Sequence, residues 1–449
     1  MAARFTPPFP PRDLPKPLPW AGFFGERART AVYGWSNAAF ERPHLRFKVL
    51  RFTVHIPLAP AAVQRVLLDN AGNYAKPGIV KRLGKGLIGR GLLTSDGDLW
   101  REQRRIVAAN FVPGAIEALI PSFARVAKQR LARWAPGTRD MAEEATAATM
   151  AVIADALFAG DARLKTARAM RHIAAALSAG GETRLLAVLG LPMIEWNRRM
   201  RAARRGQEYL RSTLADVVRE RLSAPPRDDF LGRLIAALGE RFDDREALTL
   251  AVDNAATFYL AGHETTANAV TWAVYLLSEQ PGLQERAAEE AKAALDAGED
   301  DSALPDRLPL LRRILDETLR LYPSVPRFDR EALGSDRLGE WEVGEGDIVS
   351  LWPWLIHRHR SLWDDPDAFD PDRFGPGAPE RHRFQYIPFG GGPRVCVGAR
   401  FATAEALTVM AHWLARWRLS PLPGRKVEPG GQVTLRPKGG LPLILERRD

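Results

Sequence analysis

A single cysteine, Cys396, is the only thiol in this 449-residue chain, and that count removes whole classes of fold. With no second thiol there is no internal disulfide framework, no cysteine-rich zinc module and no fused iron–sulfur domain, whose clusters need about four thiolates each. Stability has to come from an apolar core. The composition supplies one: 46% of residues are hydrophobic and 26% charged, which is globular rather than disordered or fibrous. The length allows two or three domains or one large helical one. The 64 Lys and Arg outnumber the 54 Asp and Glu, for a net charge of +10. The excess is arginine dispersed along the sequence. That argues against nucleic-acid binding, which leaves a clustered footprint, and leaves room for a basic docking face for an acidic protein.

The amino terminus, Pro7-Pro8-Phe9-Pro10-Pro11 followed by Pro15, Pro17 and Pro19, reads as a Pro-rich arm over residues 1–45 and lacks the apolar run of a signal peptide. Nothing in the chain approaches the roughly 18 uncharged apolar residues of a membrane span. A soluble, cytoplasmic protein without a transmembrane anchor is expected. Phe47 to Ile56 alternates and reads as strands joined by turns. From about Trp100, apolar residues recur at helical spacing in segments near 100–135, 140–160, 165–180, 195–222, 245–279, 282–297 and 308–321, with Pro and Gly between them. After Pro323 short strands return. A Pro- and Gly-rich coil then runs to Gly392, followed by a last helix over about Ala399 to Trp417 and a hairpin-like tail turning at Gly439-Gly440. With no internal repeat and no low-complexity linker, the expected fold class is mainly α with small β-sheets, residues 46–449 forming one large domain.

Two motifs mislead. Gly84-Lys85-Gly86-Leu87-Ile88-Gly89 fits G-x-G-x-x-G, but the preceding segment contains Pro77 and two lysines and is no buried strand, so the stretch is read as a flexible loop. His263-Glu264 opens H-E-x-x-H, but Ala267 stands where the second zinc ligand must be.

The strongest signal surrounds the cysteine: Phe389-Gly390-Gly391-Gly392-Pro393-Arg394-Val395-Cys396-Val397-Gly398. A lone cysteine is ordinarily a small buried hydrophobe. Here flanking glycines let backbone approach the sulfur, and a helix follows whose N-terminal dipole favours a thiolate. The segment resembles the haem-binding signature of the cytochrome P-450 family, F-x-x-G-x-R-x-C-x-G, with every fixed position present. Given one cysteine, the other four match by accident with a probability on the order of 10⁻⁵ to 10⁻⁴. The resemblance implies haem b as cofactor, with Cys396 as the metal ligand, Phe389 packed near it, Arg394 on a haem propionate and Gly398 completing the loop.

Further matches follow in the family's order. Ala261-Gly262-His263-Glu264-Thr265-Thr266 puts an acid and hydroxyls in an otherwise apolar helix. A mid-helix threonine can simply bond back to a carbonyl one turn earlier, which accounts for Thr266. The stretch resembles the oxygen-activation motif, and the resemblance makes Thr265 and Glu264 the catalytic alcohol and acid. Glu317-Thr318-Leu319-Arg320 and Phe369-Asp370-Pro371-Asp372-Arg373-Phe374 resemble the E-x-x-R helix and the P-E-R-F segment of a buried charge network, with Asp372 in place of Glu and Arg373 as the network member. Trp100 and Arg104, spaced W-x-x-x-R, suit an amphipathic helix, and in the family such a pair donates to a propionate. Arg330 resembles another propionate contact.

The resemblance therefore implies a soluble, bacterial-type haem-thiolate monooxygenase that inserts one atom of O2 into an apolar small-molecule substrate such as a fatty acid or terpenoid. With no thiols for its own iron–sulfur cluster, the chain needs a separate ferredoxin or flavodoxin with its reductase. Arg101, Arg104, Arg105, Arg394 and Arg400 are the basic residues expected on the partner's side. A monomer is expected. Substrate contacts are expected around Tyr74 to Thr94, Leu185 to Trp196, Ser324 to Phe328 and near Leu441. The alternatives are an H2O2-dependent peroxygenase, against which the Glu264-Thr265 pair argues, a haem-thiolate isomerase or dehydratase, and a non-catalytic haem-thiolate sensor or carrier.

Overall fold

The computed structural model describes residues 4–13, 26, 30–49, 52–178, 197–225, 227–298 and 300–448. In chain order the elements that matter below are β1 (His44–Val49), β2 (Phe52–Pro57), β3 (Tyr74–Ala75), α1 (Gly78–Ile88), α2 (Gly97–Ala108), β4 (Gly137–Asp140), α3 (Met141–Phe158), α4 (Ala167–Ser178), α5 (Arg198–Ser223), α6 (Asp244–Ser278) and α7 (Pro309–Leu321). They are followed by β5 (Phe328–Ala332), β6 (Asp336–Leu338), β7 (Trp341–Val343), β8 (Ile348–Leu351), α8 (Ala399–Leu414), β9 (Trp417–Pro421), β10 (Pro429–Gly430), β11 (Arg436–Pro437) and β12 (Pro442–Arg447). The fold is mainly helical with small sheets, as the periodicity predicts. No single helix among the described residues is long and apolar enough to cross a membrane.

Two compact units are drawn from discontinuous stretches: 1–75, 123–148 and 265–449 in one, 76–122 and 149–264 in the other. Residues on both sides of position 45 belong to the first.

In the first unit a five-stranded sheet has the order β1-β2-β8-β5-β3, and a three-stranded sheet the order β4-β12-β9. Only the β2–β8 pairing in the larger sheet is parallel. The core is rich in large rings, with Trp272 stacked on Tyr322 at 3.9 Å. α7 begins with Pro309 at its first turn, and its exposed amides donate to Glu290, Leu310 N at 2.7 Å and Leu311 N at 2.9 Å. Its far end carries the buried charge network. Arg320 donates to Glu317 through two nitrogens, at 2.6 and 2.7 Å, and caps the carbonyls of His357, Pro366 and Ala368. Both side chains are fully buried. Arg373 joins at 3.4 Å from Glu317, while Asp372 points outward to Arg313 at 2.9 Å. The Asp for Glu departure thus falls on a residue outside the network. The described part of the Pro-rich arm lies along the same region: Arg4 pairs with Asp370, the Phe369 amide donates to the Phe5 carbonyl, and Arg12 grips Asp367 through two hydrogen bonds of 2.9 and 2.8 Å.

In the second unit α5 is capped by Asn197, whose side chain accepts from the Met200 amide at 2.8 Å. Phe111, Phe230 and Phe258 make an aromatic cluster.

Several expectations need correction. The Gly84 to Gly89 stretch is the second half of helix α1 and its cap, not a loop. Its glycines are there for closeness: a Cβ on Gly84 would sit 2.8 Å from the Thr94 methyl, and one on Gly86 3.0 Å from the Gln207 amide oxygen. The segment 100–135 is three helices, because Pro113 and Pro121 each start a new one. The last helix stops at Leu414, and Trp417 opens β9 instead. Gly439 and Gly440 both have positive φ, 69° and 78°, as a tight turn requires, but β11 and β12 on either side of it belong to different sheets.

Candidate active site

The loop around Cys396 is built by glycine. Gly390 and Gly392 have φ of 72° and 64°, a region closed to most side chains. A Cβ on Gly392 would lie 1.6 Å from the Leu67 carbonyl oxygen, and one on Gly391 2.8 Å from the Phe384 ring. The 3₁₀ turn Gly392–Arg394 and a hydrogen bond of 2.9 Å from the Cys396 amide to the Phe389 carbonyl close the loop. α8 starts three residues later with Gly398 as its cap. Cys396 is exposed, although free cysteine is among the most often buried residue types. A thiol held open at the head of a 16-residue helix has the electrostatic setting of a thiolate ligand. That donor would suit a single bond to a metal that brings its other ligands with it.

Around this loop the first unit gathers several of the expected residues. Phe389 packs on the core, and Phe328 at the start of β5 lies 3.9 Å from the Gly390 Cβ position. β5 therefore brings Arg330, 5% exposed, toward the cysteine loop, its guanidinium 5.3 Å over Phe328. Arg394 is half-buried. On α6, every residue over 251–260 is buried, then the helix opens: Ala261 is exposed and Thr265, one turn on, is half-buried. The Thr265 carbonyl accepts from the Ser324 hydroxyl at 2.8 Å. Leu441 is fully buried in the core and Ser324 nearly so.

Glu405, one helix over on α8, is a residue the sequence reading passed by. It is fully buried, and neither carboxyl oxygen has a hydrogen-bond partner of ordinary geometry. Burial pushes its pKa well up, against which the Thr266 hydroxyl works weakly. A glutamate at a core position of an apolar helix is the only sequence signal for it.

Trp100, Arg104 and Glu264 belong to the second unit. Trp100 and Arg104 are half-buried one turn apart on α2, and Gln103 between them is held in place: its amide donates to the Arg90 carbonyl at 3.0 Å and its oxygen accepts from Asn254 on α6 at 2.6 Å. Arg101 and Arg105 are exposed and paired with Asp98 and Glu102. Glu264 is half-buried. His263 beside it is 2% exposed, with Nδ1 2.7 Å from the Tyr259 carbonyl and its own carbonyl accepting from Thr149 at 2.9 Å. Burial holds its pKa below the usual value, so it is a neutral core donor. The expected contact region Leu185 to Trp196 lies outside the described residues.

Comparison with known proteins gives one consistent picture. A family model described as Cytochrome P450 matches residues 10–441. Cyclooctatin synthase of Streptomyces melanosporofaciens is 34% identical over 407 residues, 88% of this chain and 86% of that one. Cyclooctat-9-en-7-ol 5-monooxygenase of the same organism is 31% identical over 396 residues, 87% and 85% of the two chains. Plant proteins of the family match as well. A solved structure of retinoic acid bound cyanobacterial CYP120A1 superposes with a TM-score of 0.77 over 90% of this chain and 92% of that one, at 24% identity, a likeness of fold.

Proposed function

The chain belongs to the cytochrome P450 family and is a haem-dependent monooxygenase acting on apolar organic substrates with redox partner proteins; from that premise we propose that its substrate is a terpenoid. We also propose that its electrons come from a separate ferredoxin or flavodoxin with its reductase, as in bacterial members, and that it works as a cytoplasmic monomer. The observation that carries the site assignment is the exposed Cys396 thiol on a glycine-locked loop at the head of α8.

When bound through Cys396, the haem supplies the activation of O2 that no side chain provides. The protein's own residues do the rest. The helix dipole of α8 keeps Cys396 ionised as a ligand. Phe389 would pack near the ligating loop, its ring on the core. Arg394, Arg330, Arg104 and the Trp100 indole N–H would neutralise and orient the propionates. Glu264 would relay protons to the Thr265 hydroxyl, which would present them on the substrate side.

Two observations favour a terpenoid over a fatty acid. His263 is buried and already bonded to a carbonyl, so it offers nothing to a substrate carboxylate. One Streptomyces relative is named for an unsaturated cyclic alcohol.

The test is spectroscopic. The reduced protein under carbon monoxide should give the long-wavelength Soret band of a thiolate ligand, lost in Cys396→Ala. Cyclic diterpene alcohols should shift the oxidised Soret band where palmitate does not. Thr265→Ala should divert electrons into peroxide. Absence of bound haem in folded protein, or a response to fatty acids alone, would overturn the respective part.

A further inference from the structure

The second unit carries a cluster that oxygen chemistry does not use. α4 presents Arg168, Arg171, His172 and Ala175, at spacings of three and four that bring them to one face, and α5 presents Ala202, Arg205 and Tyr209 in the same rhythm. The three arginines are exposed at the rim of this pair, while Ala169, Ile173 and Ala176 of α4 are buried. Gly206 lets the two faces meet. A Cβ there would stand 2.3 Å from the His172 carbonyl oxygen and 3.3 Å from the Ala176 methyl, so a larger residue would force the helices apart. Tyr209 fixes the polar groups: its ring stacks on His172 at 4.2 Å and 20°, with the Arg168 guanidinium 5.0 Å over it. Between the helices is a cleft of about 320 Å3 lined by Arg168, Arg171, His172, Ala175, Ala202 and Arg205.

Three guanidiniums share this cleft without a carboxylate. Among the described residues Arg168, Arg171 and Arg205 make no ion pair, whereas their neighbours on α5 do, Arg204 with Glu208 and Arg219 with Asp216. No acid occurs within α4, and Glu208 is the only one between Arg198 and Arg211. Burial, with Arg168, Arg171 and Arg205 adding to it, holds the His172 imidazole below its ordinary pKa, as an uncompensated positive field does. Forked guanidiniums bind phosphate oxygens two at a time, and three of them match the charge of a diphosphate better than that of a carboxylate.

We propose that the cleft between α4 and α5 is an anion site that takes the phosphate or diphosphate group of a small molecule. Ala175 and Ala202 form its apolar floor, against which the carbon next to the phosphate lies. The site is independent of the haem reaction and does not rest on the choice of substrate.

Calorimetric titration of the full-length, haem-loaded protein with inorganic pyrophosphate at fixed ionic strength tests it. One saturable site per chain is expected. Arg171→Gln/Arg205→Gln should weaken binding at least ~10-fold, with the haem absorption spectrum reporting an intact fold, and Arg219→Gln should leave it unchanged. No saturable binding overturns the proposal, as does an equal loss in Arg219→Gln, which would make the effect one of general surface charge. Flotation with phosphatidylglycerol vesicles separates the sources of phosphate. Vesicle binding without a saturable pyrophosphate site overturns the small-molecule site in favour of a lipid surface.

Discussion

Glu405 shows how much a single buried group decides. A carboxyl with no ordinary hydrogen bond, sealed in the core of the first unit, stays protonated at neutral pH, because burial raises its pKa well above the usual range. In the unfolded chain the same group ionises near its ordinary value, about 4.3. Folding near pH 7 therefore takes up a proton, and this group's contribution to stability is greatest in acid and declines as pH rises past that value. Glu405→Gln, neutral at every pH, should melt with the parent near pH 4.5 and above it at pH 8. Parallel melting curves at both pH values would show the carboxyl to be ionised in the fold. The residue scale is also where sequence reading was strongest. Cys396, Phe389, Arg394 and the Glu317-Arg320 pair announce themselves because their spacing within one loop or one helical turn is itself the geometry. His263 is the opposite case: nothing adjacent in sequence says that Tyr259 and Thr149 already occupy its polar atoms.

At the scale of elements, the cysteine loop and the edge of the larger sheet carry the clearest consequences. Gly392→Ala would need a left-handed φ with a side chain and a Cβ inside the Leu67 carbonyl. A loss of about 2–4 kcal/mol and reduced haem retention are expected, measured by thermal unfolding and by haem absorbance per chain; a fully loaded variant of parental stability would refute the packing argument. On β1 and β2, His44 and His55 are buried and joined at 3.1 Å, with Asp347 3.3 Å beyond His55, Trp341 stacked on His44, and Arg46 nearby. Burial, then His55 and Arg46, bring His44 down to about 4, and burial lowers His55 against the pull of Asp347. Both pKa values lie below the unfolded one, so their contribution is intact above about pH 6.5 and is lost as pH falls toward 4. His44→Gln should flatten the decline in melting temperature over that window, and an unchanged slope would mean that other groups set it. Helices were legible wherever apolar spacing ran unbroken, as in α6. α1 was not, because its glycines were read as freedom when they serve closeness.

At the scale of the whole molecule, the arginines that looked dispersed in sequence are gathered by folding. Arg168 and Arg205 lie far apart along the chain and line one cleft. The sheet order was equally hidden, since β2 lies beside β8 nearly 300 residues later, and no local pattern encodes such a partner. The Pro-rich arm belongs here too. Arg12→Ala removes a two-pronged, partly buried pair with Asp367 and should cost about 1–3 kcal/mol. A melting temperature within 1 °C of the parent would show the arm to be merely resting on the surface.

The pairing of Arg12 with Asp367 spans 355 positions, and Leu67 must meet Gly392 before the cysteine loop has its shape. Both contacts join segments that lie far apart along the sequence, so the later partner must be made before the earlier one has a surface to bind. The clasp and the thiol therefore come together only once the sequence through Cys396 has been made: a nascent polypeptide stalled before Asp367 has the threonine and the acid of α6 but neither of the other two.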